Sequence, residues 1–241
     1  MLPTEAAGPA VYDRRALARK QEQRESWRSG EYVAEWIGDD VLAGFLSLPR
    51  AITIAIVVDA AIPVEHVLDL GSGAGPYLSA LLRAFPAARG TWVDSSEAME
   101  VNARGSLAEF GDRVSYVLGD VERLATLPLE SAEVVVTSRV LHNLPRAAQE
   151  AFYPSASRLV APGGFFFNLD HYAAPPGWES RYRHIREHFT GRRKKPLAPH
   201  RDHPLTALED HLRWLEASGF ERPDVPWRTF HTALIAARKP D

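Results

Sequence analysis

The 241-residue chain carries 28 Lys and Arg against 31 Asp and Glu, a formal net charge of −3, and it contains no cysteine. The near balance of charge gives no electrostatic case for a nucleic-acid or membrane partner, and the missing thiols exclude disulfides, Cys-ligated zinc and cysteine nucleophiles. With 45% hydrophobic and 24% charged residues, the make-up is that of a globular protein able to bury a core without covalent staples.

Residues 1–10 carry no basic-then-apolar leader and read as a frayed terminus, so a soluble cytoplasmic protein is the expectation. Residues 11–28 are charged with spaced apolar positions (Val11, Leu17, Trp27) and can form an exposed helix. Tyr32, Val33, Trp36 and Ile37 then fall at an amphipathic helical spacing. Pro49 suits the first position of another helix over residues 50–61. That stretch is interrupted by Asp59 and is too short to cross a bilayer. Residues 1–60 are thus expected to form a helical segment, with residues 61–241 as the main domain.

The pattern changes at His66. Residues 67–70 are a short apolar run followed at once by glycines, a buried-strand signal. Tyr77, Leu78, Leu81, Leu82 and Phe85 share a helix face. Residues 90–94 form a second strand. Ser96 can cap a helix to about Phe110, with Met99, Val101, Leu107 and Phe110 as its apolar positions. Strands follow at 113–118 and 133–137. A helix over 145–159 stops before Pro162-Gly163-Gly164, and 165–169 is a fifth strand. This alternation predicts an α/β fold: a Rossmann-like, mostly parallel, seven-stranded sheet with helices on both faces. Residues 172–204, rich in Pro, His and Arg, read as an insertion. Thr206 would cap a helix carrying Leu208, Leu212, Leu215 and Phe220. Runs at 224–227 and 230–237, with only Arg228 and Thr229 between, can pair only as an antiparallel hairpin.

In an open parallel sheet the ligand binds beyond the carboxyl ends of the strands, which places it at the loop after the first strand. Glycines there allow positive φ and a bare backbone surface. The spacing is Gly71-x-Gly73-x-Gly75, with Asp69 two residues earlier. A dinucleotide fingerprint needs G-x-G-x-x-G, and position 76 is Pro. Asp69 suits an ammonium group better than a pyrophosphate.

Leu68-Asp-Leu-Gly-Ser-Gly-Ala-Gly-Pro76 resembles the first motif of the class I S-adenosylmethionine-dependent methyltransferases, small-molecule type. The resemblance continues through Val93-Asp94-Ser95-Ser96, Gly119-Asp120-Val121, Ser138-Arg-Val-Leu-His142 and Pro162-Gly163-Gly164. It implies S-adenosyl-L-methionine as cofactor, S-adenosyl-L-homocysteine as product, and contacts from Asp69, Gly71, Ser72, Gly73, Gly75, Asp94, Ser95, Asp120, Val121, Ser138 and Arg139. Asp94 would accept both ribose hydroxyls. Asp120 would accept from the adenine amine, beside the Val121 N–H. Each aspartate also has a plain reading as a cap or turn residue.

His142, in a Leu-His-Asn setting, resembles the catalytic histidine of phenol O-methyltransferases; a packing or cofactor-shelf role is the alternative. His171 and Tyr172 would meet the acceptor or form a surface pair. His184 and His188 lie one helical turn apart, but among Arg181, Arg183 and Arg186 they read as a solvated face, and no metal is expected. Residues 191–196 read as an exposed basic loop. Segments 1–60 and 172–204 are expected to cover the site, with Tyr32, Trp36, Tyr172 and Trp178 able to line an apolar pocket. The expected partner is a small-molecule acceptor methylated on oxygen or nitrogen, without nucleic acid or membrane, and a homodimer is allowed. Alternatives are a non-catalytic S-adenosylmethionine-binding or partner-activating subunit, and an NAD-dependent oxidoreductase.

Overall fold

A computed structural model describes residues 43–190 and 203–241. The helices expected before residue 43 and the basic loop at 191–196 lie outside the described residues. The elements are α1 (Ala43–Asp59), β1 (His66–Leu70), α2 (Pro76–Ala84), β2 (Arg89–Asp94), α3 (Glu97–Ser106), β3 (Val114–Leu118), β4 (Ala132–Ser138), α4 (Arg146–Leu159), β5 (Val160–His171), α5 (Glu179–Thr190), α6 (Leu208–Ala217), β6 (Glu221–Thr229) and β7 (Thr232–Arg238). Short 3-10 turns span Ala108–Arg113, Val121–Thr126 and Leu141–Asn143. Among the described residues, no helix is long and apolar enough to cross a membrane.

The strands form one seven-stranded sheet in the order β3-β2-β1-β4-β5-β7-β6. The first five strands run parallel, and β7 is antiparallel to both β5 and β6. The order reverses between β1 and β4, so the crevice for a ligand opens beyond their carboxyl ends. Every residue of β1 is buried, as expected for a strand covered on both faces. Alternation along the strands feeds two cores. Val67, Val134, Val136, Phe165 and Phe167 pack with α1, α2 and α3. Leu68, Val135 and Phe166 pack with α4 and α6.

Several expectations are corrected. Pro49 lies inside α1 rather than at its start. The missing N–H is tolerated because Leu46 before it and Val57 after it are both buried against the domain, and packing outweighs one lost hydrogen bond. The helix capped by Ser96, whose side chain accepts from the Met99 N–H, ends at Ser106, and a kinked 3-10 turn with Gly111 at φ 53° replaces its expected last turn. Val101 is exposed. β5 begins at Val160 and takes in Pro162-Gly163-Gly164, with an irregularity in its register to β4. Ala207, not Thr206, occupies the cap position of α6; the Thr206 carbonyl instead accepts from the Ala173 N–H at 2.9 Å. The hairpin turn is Phe230-His231, with Phe230 at φ 55°, two residues later than expected. The pairing is antiparallel as expected. The segment read as an insertion contains α5, and His184 and His188 are exposed on it, in keeping with the expected solvated helix face.

Candidate cofactor and active site

The glycine loop leaves β1 under tight backbone control. The Gly71 and Ser72 N–H groups both donate to the Val93 carbonyl, at 2.8 and 2.9 Å. Gly71 adopts φ +74°, and a Cβ there would lie 2.2 Å from Val140 Cγ2. Glycine is therefore required on two counts, left-handed backbone and close approach of the post-β4 segment. Gly75 is the left-handed N-cap of α2, with Pro76 at the first helical position, where a missing N–H costs nothing.

Ten of the eleven residues that the sequence motifs nominate line one cleft: Asp69, Gly71, Ser72, Gly73, Asp94, Ser95, Asp120, Val121, Ser138 and Arg139. Gly75 does not line it and packs toward Leu107 instead. Sequence reasoning missed Arg50, Tyr77, Met99, Glu122, Asn143 and Leu144, which also line it. Met99 and Tyr77 had been recognised only as apolar helix positions. Arg50 lies on α1, far from any motif, and nothing in its neighbourhood marks it.

Asp69 is 1% exposed. Its Oδ2 accepts from Ser72 Oγ at 2.6 Å and from the Leu78 N–H at 3.2 Å, while Oδ1 has no hydrogen-bond partner. Burial pushes its carboxyl up to about 7, against the lowering effect of those bonds and of Arg50. A buried carboxylate oxygen without a donor is costly, and a cationic donor in the cleft would relieve that cost. Asp94, at the end of β2, accepts from the Gly73 N–H (2.9 Å) through Oδ2 and from the Ser96 N–H (3.0 Å) through Oδ1. Burial raises its pKa in spite of these bonds. Asp120 caps the turn Val121–Thr126 by accepting from the Glu122 N–H at 2.9 Å. The two aspartates thus hold turn geometry and also face the cleft. Ser138, at the end of β4, has a buried hydroxyl without a partner.

His142 is not part of this cleft lining. It is 9% exposed and its Nδ1 lies 2.5 Å from Asp170 Oδ1, while its N–H donates to Asp170 Oδ2 at 3.2 Å. Burial of Asp170 favours the neutral acid, but His142, His171 and the His171 N–H together outweigh it and hold the carboxyl at about 2. An ionised carboxylate only accepts, so His142 Nδ1 must donate, and in the neutral ring Nε2 is the acceptor. The His142 and His171 rings meet edge to face at 4.8 Å, and His171 Nδ1 lies 3.0 Å from Thr232 Oγ1. Asp170 is thus the buried partner of His142, which sequence reasoning did not find. Tyr172 is fully buried in the core and Trp178 is exposed, so neither lines the cleft as the aromatic content suggested; Tyr32 and Trp36 lie outside the described residues.

Residues 67–164 match a family model described as "Methyltransferase domain". Over that stretch, less than half of its length, the chain is similar to a methyltransferase domain. S-adenosylmethionine is the cofactor of that class, in line with the motifs around Gly71, Asp94 and Asp120. Among curated relatives, malonyl-[acyl-carrier protein] O-methyltransferase of Chlorobium luteolum is 32% identical over 158 residues, 60% of this chain and 59% of that protein. Aclacinomycin 10-hydroxylase of Streptomyces purpurascens is 37% identical over 109 residues, 44% of this chain and 28% of that protein. The chain therefore matches less than two thirds of the length of either relative. Among solved structures, the 1,6-didemethyltoxoflavin-N1-methyltransferase of Burkholderia thailandensis superposes with a TM-score of 0.63 at 19% identity, covering 98% of this chain and 94% of that one. At that identity the likeness speaks for the fold.

Proposed function

We propose that the chain is an S-adenosylmethionine-dependent methyltransferase that acts on an oxygen or nitrogen of a small molecule. The observation that carries the reading is the unpartnered Oδ1 of buried Asp69 in a cleft shared with Asp94 and Asp120. S-adenosylmethionine has an ammonium, a ribose diol and an adenine amine, and no phosphate; these suit three carboxylates at the ends of adjacent loops. A dinucleotide fits poorly. Its pyrophosphate would meet Asp69, and Pro76 removes an N–H from the helix terminus that would cradle it.

When bound, the cofactor supplies a methyl on a sulfonium, with a neutral thioether as leaving group. Asp69 Oδ1 would accept from the ammonium, Asp94 would accept from the ribose hydroxyls, and Asp120 with the Val121 N–H would meet the adenine edge. The remaining task of the protein is to hold the nucleophile in line at near-attack distance. For a hydroxyl or ammonium acceptor, His142 takes the proton at Nε2, and Asp170 acts as a positioning residue that fixes the ring and steadies the imidazolium.

Calorimetry with S-adenosylmethionine and with NAD tests the reading. Binding of the first alone is expected, and Asp94→Ala should weaken it by about tenfold or more, since two charge-assisted hydrogen bonds are lost. NAD binding without S-adenosylmethionine binding would refute it. One observation favours a second reading, cofactor binding without methyl transfer: a relative at 37% identity is named as a hydroxylase. Release of S-adenosylhomocysteine on supplying acceptor pools separates the two.

A further inference from the structure

Three oxygens on residues that line the cofactor cleft are buried and have no hydrogen-bond partner: Asp69 Oδ1, Ser138 Oγ and Asn143 Oδ1. A buried polar atom left unpaired is costly. Three of them around one cleft mark a place where a ligand supplies the missing partners.

Their placement follows from the fold. Val67 on β1 and Val134 and Val136 on β4 belong to one core, so by alternation Asp69 and Ser138 point to that same face of the sheet. Asp69 pairs with Val136 in the parallel register, and Ser138 lies two residues farther on, at the carboxyl end of β4. Asn143 closes the 3-10 turn that follows. Its Nδ2 donates to the Arg139 carbonyl at 3.2 Å, which orients the amide and leaves Oδ1 as the unpaired atom. The Asn143 N–H donates to the Val140 carbonyl at 3.0 Å, and Val140 occupies the space that a Cβ on Gly71 would need. The turn is thus held against the glycine loop that carries Ser72 beside Asp69.

The chemistry of the set selects a donor with positive charge. A carboxylate oxygen and an amide oxygen only accept, and the Ser138 hydroxyl can rotate to accept as well. Asp69, Asp94, Asp120 and Glu122 line the cleft against Arg50 and Arg139, so carboxylates outnumber guanidinium groups there. An ammonium has three N–H donors and no acceptor. A carboxylate or phosphate would set acceptors against acceptors.

We propose that Asn143 and Ser138 complete, with Asp69, a three-oxygen seat for the ammonium of S-adenosylmethionine. The inference rests on the S-adenosylmethionine reading and adds two neutral partners to Asp69. These two residues then determine specificity: the protein prefers the amine-bearing cofactor and its product to analogues without the amine.

The test is calorimetry with three probes: S-adenosylhomocysteine, its deaminated analogue, and 5′-methylthioadenosine, which lacks the whole amino-acid part. The natural chain should bind S-adenosylhomocysteine about tenfold or more tightly than the deaminated analogue, the effect of hydrogen bonds to a charged group. Asn143→Leu and Ser138→Ala should each shrink that preference by about threefold or more, while 5′-methylthioadenosine affinity stays within about twofold. Ser138→Ala leaves the Arg139 carbonyl its donor, so it decides the matter if Asn143→Leu fails to fold. The proposal is overturned if the natural chain shows no preference for the amine, if the preference survives both substitutions, or if 5′-methylthioadenosine binding falls by the same factor as S-adenosylhomocysteine binding, which would mark a merely structural role. Failure of the natural chain to bind either adenosyl ligand is a different result and strikes the parent reading.

Discussion

The β1–β2–β3 side of the sheet and the β4–β5 side build their halves of the site by different means. On the first side each functional group belongs to a short loop at a strand end, and its geometry is set mainly by neighbours in sequence, with one bond between loops, from the Gly73 N–H to Asp94. Ser72 and Leu78 hold Asp69, and Ser96 holds one oxygen of Asp94. On the second side the decisive contacts join distant residues. His142 meets Asp170 across 28 positions, and Arg50 reaches the cleft from α1. Local loops write motifs, whereas long-range pairs do not.

Three substitutions or conditions would break or sharpen this contrast. The largest effect is expected where the two sides touch, at Gly71 beneath Val140. Gly71→Ala combines left-handed strain with a clash at 2.2 Å, together about 2–5 kcal/mol. Urea unfolding should show that loss, and it should shrink in the Gly71→Ala/Val140→Ala double variant; an unchanged midpoint in the single variant would remove the packing argument.

Next comes His142→Ala, for which kcat with a hydroxyl acceptor should fall about 10²-fold or more if Nε2 is the base. Asp170→Asn should also lower kcat and alter its pH profile, because the ring loses the carboxylate that fixes its tautomer. An unaltered kcat across pH in His142→Ala would leave the histidine with a packing role.

The smallest effect concerns Asp69. Its folded carboxyl is raised to about 7 by burial, so below that pH an ammonium ligand must displace a proton. Cofactor affinity should therefore fall by up to about tenfold per pH unit below 7 and level off above it. Calorimetry from pH 5.5 to 8.5 checks the slope, and a flat profile would mean that Asp69 does not meet the ligand's cation.

The segments outside the motifs mark the limits of sequence reading. Pro49 reads as a helix start because local chemistry favours that position, yet burial of Leu46 and Val57 carries the helix through it. β5 runs past its apolar core to His171 because pairing with β7 continues along its length, and pairing partners are invisible in a single segment. The rings expected to line a pocket, Tyr172 and Trp178, separate into core and surface, since aromatic content does not say which face of a loop turns inward.

What the amino-acid sequence determined by itself was the parallel sheet, the glycine loop and the carboxylates at successive strand ends. All of these follow from periodicity and from backbone conformations that few residues can adopt. Only the tertiary structure decided that one oxygen of Asp69 is left without a donor, that Asp170 stands behind His142, and that Ser138 and Asn143 bring unpartnered oxygens to the same cleft. Those features depend on burial and on side chains converging from separate elements, and they exist only once the chain has packed.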